Sequence, residues 1–325
     1  DLVVRPVGDL FNISGSMGFC STNPASPVTI TFSGAIFDEV LDDIYVNASE
    51  IRFEQSRITM NAESPTVRLS SFGYLLISET NITKALAGTG TMVLMSPDNT
   101  STTSLAMNGE VHVDISDSRI SSQIAGQFDA SYLLDVDLSA ASTVTHLHVA
   151  NNSLLFGQTI ALGTNMCPKN VRFEDFTLKM GSIYASGPLF PCSPSYFDIE
   201  FFDVFRSNIY FSGTIPRNIF DVTQPITLER FTLENVSAQN LQLGHLRVQS
   251  TVITNSDFSI GQTDSNYGSL RGKNDTTSNV VALSGFSSHA AQLRIYGCPT
   301  PGCVTYFKCD QVPLSVDNDI ELSDN

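Results

Sequence analysis

The chain has no tryptophan and, among its 325 residues, only 17 lysines and arginines against 33 aspartates and glutamates. The net charge of −16 excludes a nucleic-acid interface, which needs clustered Lys and Arg to meet phosphate. It also opposes docking on an anionic membrane surface. No apolar stretch approaches the roughly 18–20 residues that cross a bilayer as a helix, so no membrane insertion is expected. Runs of Ala, Leu, Glu and Lys at helical spacing are missing too. Without Trp the chain lacks the favoured stacking platform for a ligand, which counts against an adhesin or glycan-binding module.

What the chain has instead is Ser, Thr and Asn set between short apolar alternations. NVRFEDFTLKMGSIYASG, residues 170–187, is echoed without a gap by YFDIEFFDVFRSNIYFSG, residues 196–213. Phe173 then falls on Ile199, Glu174 on Glu200, Phe176 on Phe202 and Leu178 on Val204. Residues 226–233 match 171–178, and Ile51-Arg52-Phe53-Glu54 with Ile58-Thr59-Met60 reproduces Val171-Arg172-Phe173-Glu174 with Leu178-Lys179-Met180. Val111-His112-Val113-Asp114-Ile115 and Leu246-Arg247-Val248 alternate in the same way. Such period-two segments bounded by Asn, Ser, Asp or Gly read as strands.

A repeat of about 26 residues made only of strands and turns predicts an all-β fold, a parallel β-helix or β-solenoid. Coils stacked about 4.8 Å apart need matching size and polarity in each column, not matching identity. Phe173, Phe176 and Leu178 are then core, with Glu174 and Glu200 outward. β-sandwich domains are the alternative, since they too contain many short strands. Residues 41–285 are read as the solenoid, 1–40 as an N-terminal cap and 286–325 as a Cys-rich C-terminal cap, because terminal coils leave strand edges to cover.

In coil length and strand alternation, residues 40–285 resemble the right-handed parallel β-helix proteins of the pectin-lyase-like group. The resemblance implies a test, because many such proteins cleave acidic polysaccharides. The polygalacturonase-like branch carries Asn-Thr-Asp, Asp-Asp, Gly-His-Gly and Arg-Ile-Lys motifs. Here Asp42-Asp43, Gly244-His245-Leu246 and Arg294-Ile295-Tyr296 occur in that order, without any Asn-Thr-Asp and with Leu246 and Tyr296 in place of Gly and Lys. Asp43 and His245 would stand on the order of 40 Å apart, whereas two carboxyls acting on one glycosidic bond stand within about 5–10 Å. No catalytic residue is assigned, and a lyase or glycoside hydrolase is the alternative to a non-enzymatic reading.

Metal ligands are sparse. His146 and His148 would face the same side of a strand, but zinc needs at least three protein ligands, and His112, His245 and His289 stand alone in the sequence. Asp38, Glu39, Asp42 and Asp43 form the densest acidic group, with Asp135 and Asp137 a second. Neither has a calcium-loop spacing, so both are read as solvated turns. No cofactor is assigned, with calcium left open.

Seven sequons begin at Asn12, Asn47, Asn81, Asn99, Asn151, Asn235 and Asn274. With six cysteines they predict an extracellular, disulfide-bonded glycoprotein bearing N-linked glycans. The chain starts at Asp1 rather than Met, and a removed leader is the expectation. Cys167 and Cys192 lie nearly one repeat apart, on adjacent coils, as a bridge with Cα atoms about 5.5 Å apart requires. Cys298, Cys303 and Cys309 make one local bridge and leave one thiol over. Its expected partner is Cys20 of a neighbouring subunit, in a head-to-tail filament. The alternatives are an N-terminal segment folded back along the rod, or thiols that pair elsewhere or stay free. The whole reads as a structural building block of a filament, surface appendage or matrix that self-associates.

Overall fold

In a computed structural model of the protein, the alternating segments are strands, and no helix occurs among the described residues. Those are residues 2–4, 11–12, 17–20, 27–61, 66–84, 90–98, 110–122, 131–137, 144–157, 160–162, 168–180, 199–211, 217–218, 226–234, 236–239, 241–242, 245–254, 257–259, 268–272, 279–284, 287–289, 293–296, 305–309 and 320–323. Side-chain burial is described within 17–236. No helix there is long and apolar enough to cross a membrane.

In chain order the strands begin with β1 (Leu2–Val4), β2 (Phe11–Asn12), β3 (Met17–Cys20), β4 (Thr29–Ser33), β5 (Ile36–Val40), β6 (Ile44–Asn47), β7 (Glu50–Glu54), β8 (Arg57–Met60), β9 (Val67–Ser70), β10 (Tyr74–Ser78), β11 (Asn81–Lys84) and β12 (Gly90–Ser96). They continue with β13 (His112–Ser116), β14 (Arg119–Ser122), β15 (Ser131–Val136), β16 (His146–Ala150), β17 (Leu154–Gly157), β18 (Ile160–Leu162), β19 (Asn170–Glu174), β20 (Thr177–Met180), β21 (Ile199–Phe205), β22 (Asn208–Phe211) and β23 (Arg217–Asn218). The last are β24 (Ile226–Glu234), β25 (Ser237–Gln239), β26 (Leu241–Gln242), β27 (His245–Thr254), β28 (Asp257–Ser259), β29 (Gly268–Gly272), β30 (Asn279–Ser284), β31 (Ser287–His289), β32 (Leu293–Tyr296), β33 (Thr305–Cys309) and β34 (Ile320–Ser323).

Three long parallel sheets result. Sheet A runs β1-β4-β7-β10-β13-β16-β19-β21-β24-β27-β29-β32-β34, with β30 and β33 branching at β27. Sheet B runs β2-β5-β8-β11-β14-β17-β20-β22-β25-β28-β31, and sheet C runs β3-β6-β9-β12-β15-β18. From β1 to β18 the chain visits A, B and C in strict rotation, six times. Parallel neighbours cannot be joined by a hairpin, and each circuit through the other two sheets supplies the required return. We call the chain from one sheet A strand to its next sheet A partner a rung. The segments 1–40 and 286–325 carry strands of these same sheets, β1 to β5 and β31 to β34.

The register corrects one expectation. Val171 pairs with Phe202 and Phe173 with Val204, whereas the gapless echo laid Phe173 on Ile199 and Phe176 on Phe202. The echo is not the stacking register. Phe231 in turn stands beside Phe202, which puts Val171 in the column of Phe231 rather than Ile226. Rungs are also unequal: the step from Phe231 to its partner Thr251 is short, and the step from Leu75 to Val113 is nearly twice as long. Averaged along sheet A from Leu2 to Val281, the rung comes near the expected length without its constancy. The alignment of Ile51 with Val171 does hold, because both lie in one column through Leu75, Val113 and Leu147.

That column continues to Phe202 and Phe231, and beside it runs Phe32, Phe53, Ile77, Ile115, Val149, Phe173, Val204 and Leu233. All of these side chains are buried. Phe32 stacks on Phe53 at 4.7 Å and Phe202 on Phe231 at 5.5 Å between centroids. In-register stacking brings like side chains to the spacing of neighbouring strands, which suits offset aromatic pairs.

Between sheets A and B the chain bends at a residue in the left-handed region: Gly34, Gln55, Glu79, Asp117, Asn151 (followed there by a second such residue, Asn152), Asp175 and Arg206. Each stands immediately after its sheet A strand. The next position is inward, and on most rungs it is Ser or Thr. Ser56, Thr80, Ser118 and Ser153 are buried and make a ladder: the Ser56 N–H donates to Thr80 Oγ1 at 3.2 Å, the Thr80 N–H to Ser118 Oγ at 3.0 Å and the Ser118 N–H to Ser153 Oγ at 3.2 Å. The Ser118 hydroxyl lies within bonding distance of the carbonyls of Ile77 and Ser116. Buried backbone groups that a bend would strand are thereby satisfied.

Candidate functional site

Because successive side chains on a strand alternate faces, burying Val113, Ile115, Leu147 and Val149 turns His112, Asp114, His146 and His148 outward on sheet A. The register sets His112 beside His146 and Asp114 beside His148. Tyr74 is the next outward residue on one side, Asn170 and Arg172 on the other. Titratable groups far apart in sequence thus share one face.

The His112 and His146 rings stack at 4.2 Å with 8° between their planes. Glu110, just before β13, places Oε2 3.2 Å from His146 Nε2 and 3.6 Å from His112 Nε2. Burial, reinforced by the His146 charge, pulls the His112 pKa below the usual imidazole value despite the opposing pull of Glu110. One position along, His148 Nδ1 lies 3.3 Å from Asp114 Oδ1. Burial alone would raise the Asp114 pKa, but hydrogen bonds from His148 and Tyr74 outweigh it and hold it below the ordinary value. Tyr74 is pushed well above a normal phenol, first by burial and then by the Asp114 charge.

The polar belt extends both ways. Glu50, buried, accepts from Thr29 Oγ1 at 2.9 Å and from Arg52 Nε at 2.6 Å, and the Arg52 guanidinium lies over the Tyr74 ring at 5.9 Å. Further on, Arg172 lies over Phe205 at 5.2 Å and Arg230 over Phe201 at 4.4 Å. Arg230 also donates to Asp203 through Nε at 3.0 Å.

The other expected site residues are dispersed. Asp38 takes a two-point ion pair from Arg57, through Nε at 3.2 Å and through NH2 at 2.6 Å. Asp43 accepts from the Thr66 N–H at 2.8 Å and from Arg68 Nε at 2.6 Å, so these two carboxylates already serve arginines on neighbouring rungs. Asp42 and Glu39 are exposed. Asp135 is buried and its Oδ1 accepts from the Val136 N–H, while Asp137 is half-buried. His245 and Arg294 fall in one register column through Ser269. Asp43 precedes β6, in the β4 rung, eight sheet A steps before β27.

Cys20 is exposed and free on β3. Cys309 belongs to β33, and Cys167, Cys192, Cys298 and Cys303 lie outside the described residues. Asn81 and Asn151 are exposed and Asn47 half-buried. Asn12 lies in β2, while Asn99, Asn235 and Asn274 lie outside the described residues, as does the structural context of the C-terminal thiols.

Sequence reasoning paired His146 with His148 and set His112 aside as isolated. The structure instead unites His112 with His146 across one rung. It also adds Glu110, Asp114 and Tyr74, for which the only signal was the HVDIS/HLHVA alternation on two rungs of unknown register. No protein family, curated protein or solved structure matches the chain. Its long parallel sheets are compatible with a β-solenoid.

Proposed function

We propose that the chain is an extracellular structural glycoprotein, a β-solenoid building block that associates head to tail in a filament, surface appendage or matrix. In this reading sheets A, B and C are the faces of one closed coil, and the segments 1–40 and 286–325 are its ends. The observation that carries it is the in-register parallel pairing of sheet A, in which each strand serves as the template for the next. A rung of a second chain could pair in the same way, and unpaired strand edges promote such addition. In this reading Cys20, exposed on β3, is the thiol that bonds the next subunit. The exposed sequon residues Asn81 and Asn151 suit a glycosylated surface, and the polar outer belt suits a solvated one.

Electron microscopy of the native material tests this, together with non-reducing electrophoresis. Filaments that dissociate on reduction are expected; a uniform monomer under both conditions overturns the proposal. A second reading is favoured by the carboxylate, imidazole and phenol groups gathered on adjacent rungs around Asp114. On that reading the face cleaves acidic polysaccharide, and release of unsaturated or reducing ends from polygalacturonate, lost in Asp114→Asn, is its test.

A further inference from the structure

We propose that Glu110, His112 and His146 form a binding site for a first-row transition dication of the zinc class. Three protein ligands would leave one coordination position open to water. The ligand atoms, Oε2 and two Nε2, all lie within 4.8 Å of one another. With bonds of about 2.1 Å, tetrahedral coordination separates neighbouring ligand atoms by roughly 3.4 Å. The carboxylate oxygen stands 3.2 Å from one imidazole nitrogen and 3.6 Å from the other, close to that spacing, and the stacked rings must turn out of parallel about their side-chain torsions for both nitrogens to meet one ion. Two nitrogens and one carboxylate oxygen suit zinc, with copper and nickel as competitors. They do not suit calcium, which takes oxygens.

The fold explains the juxtaposition. His112 and His146 are Cα partners on β13 and β16, and the stacked rings aim both Nε2 atoms at the same carboxylate. The side chains are 28%, 29% and 47% exposed for His112, His146 and Glu110, which leaves an entry path and a solvent-facing position. The ion would bridge two rungs joined by one of the longer circuits of the chain.

Calorimetric titration of the intact, folded protein with Zn²⁺ in a buffer free of chelators and phosphate is the test. One saturable site is expected, weakened at least tenfold by each of Glu110→Gln, His112→Asn and His146→Asn. Absence of saturable binding overturns the proposal, as does binding that survives all three substitutions. A measurement on the unsubstituted protein guards against misfolded variants. Zn²⁺ should protect His112 and His146, identified by peptide mass, from diethylpyrocarbonate, and equal modification with and without Zn²⁺ would overturn the site.

Discussion

Arg206 occupies the left-handed region at φ 45° and bonds both carboxylates of the preceding bend. Its Nε donates to Asp175 Oδ1 at 2.8 Å and its NH2 to Asp175 Oδ2 at 2.9 Å, with Glu174 Oε1 completing the fork. Hydrogen bonds from Arg172 and then Arg206 hold Glu174 below the usual carboxylate range, and the bonds from Arg206 do the same for Asp175. A depressed carboxylate contributes stability above its unfolded pKa and loses it as pH falls through the folded value. Arg206→Asn keeps a residue type tolerant of the left-handed region and removes the charge. The melting temperature of the variant should therefore lie below that of the parent by a constant amount near neutrality. That gap should close below about pH 4, as thermal melts across pH would show. Ser118 is a sharper case, being buried and the acceptor for the Thr80 N–H. Ser118→Ala strands that donor at a cost of about 1–3 kcal/mol, visible as a lower urea midpoint with unchanged slope.

At the scale of the element, the unit that repeats is a compact block: a sheet A strand, one left-handed residue, one inward residue and a sheet B strand, as in residues 74–84. The remainder of each rung varies in length. Inserting six Gly/Ser residues between Asp98 and Glu110 should leave the melting temperature nearly unchanged, because lengthening a connection whose two ends are fixed adds well under about 1 kcal/mol. A single residue inserted after Leu76 should instead abolish cooperative melting, since a one-residue slip turns Ile77 out of the core. Ile115→Ala, in the centre of the column, should cost about 2–5 kcal/mol by urea titration.

These blocks explain what was legible in the sequence. Alternation identified the strands, the all-β class and Phe173, Phe176 and Leu178 as core, all buried. It could not set the register, since alternating segments match at any even shift. The left-handed residue adds a change of phase, visible in the step from Phe173 to Phe176 across Asp175, so odd shifts match as well. The gapless echo arose in that way. The candidate site was hidden for the same reason: His112 meets His146 only if the register between β13 and β16 is known, and Glu110 lies outside the alternating strand.

At the scale of the whole molecule, the sheet A strands pair one after another from β1 to β27 among the described residues, and in such a stack stability is a chain of nearest-neighbour terms. The first rung has neighbours on one side only among the described residues. Deleting residues 1–26 should therefore lower the melting temperature while leaving a cooperative β-sheet transition, followed by circular dichroism. Hydrogen exchange should be fastest in β1 to β3 and slowest in β10, β13 and β16.

The unequal rungs have a mechanical consequence. Pulled by its two ends, such a stack should peel one rung at a time, each rupture releasing the chain stored between two sheet A partners. From the short Phe231–Thr251 step to the long Leu75–Val113 step, those stores span roughly 7 to 13 nm of extended chain. A single-molecule force trace would then be a barcode of step lengths rather than a uniform sawtooth. The longest steps would fall where β10 parts from β13 and β13 from β16.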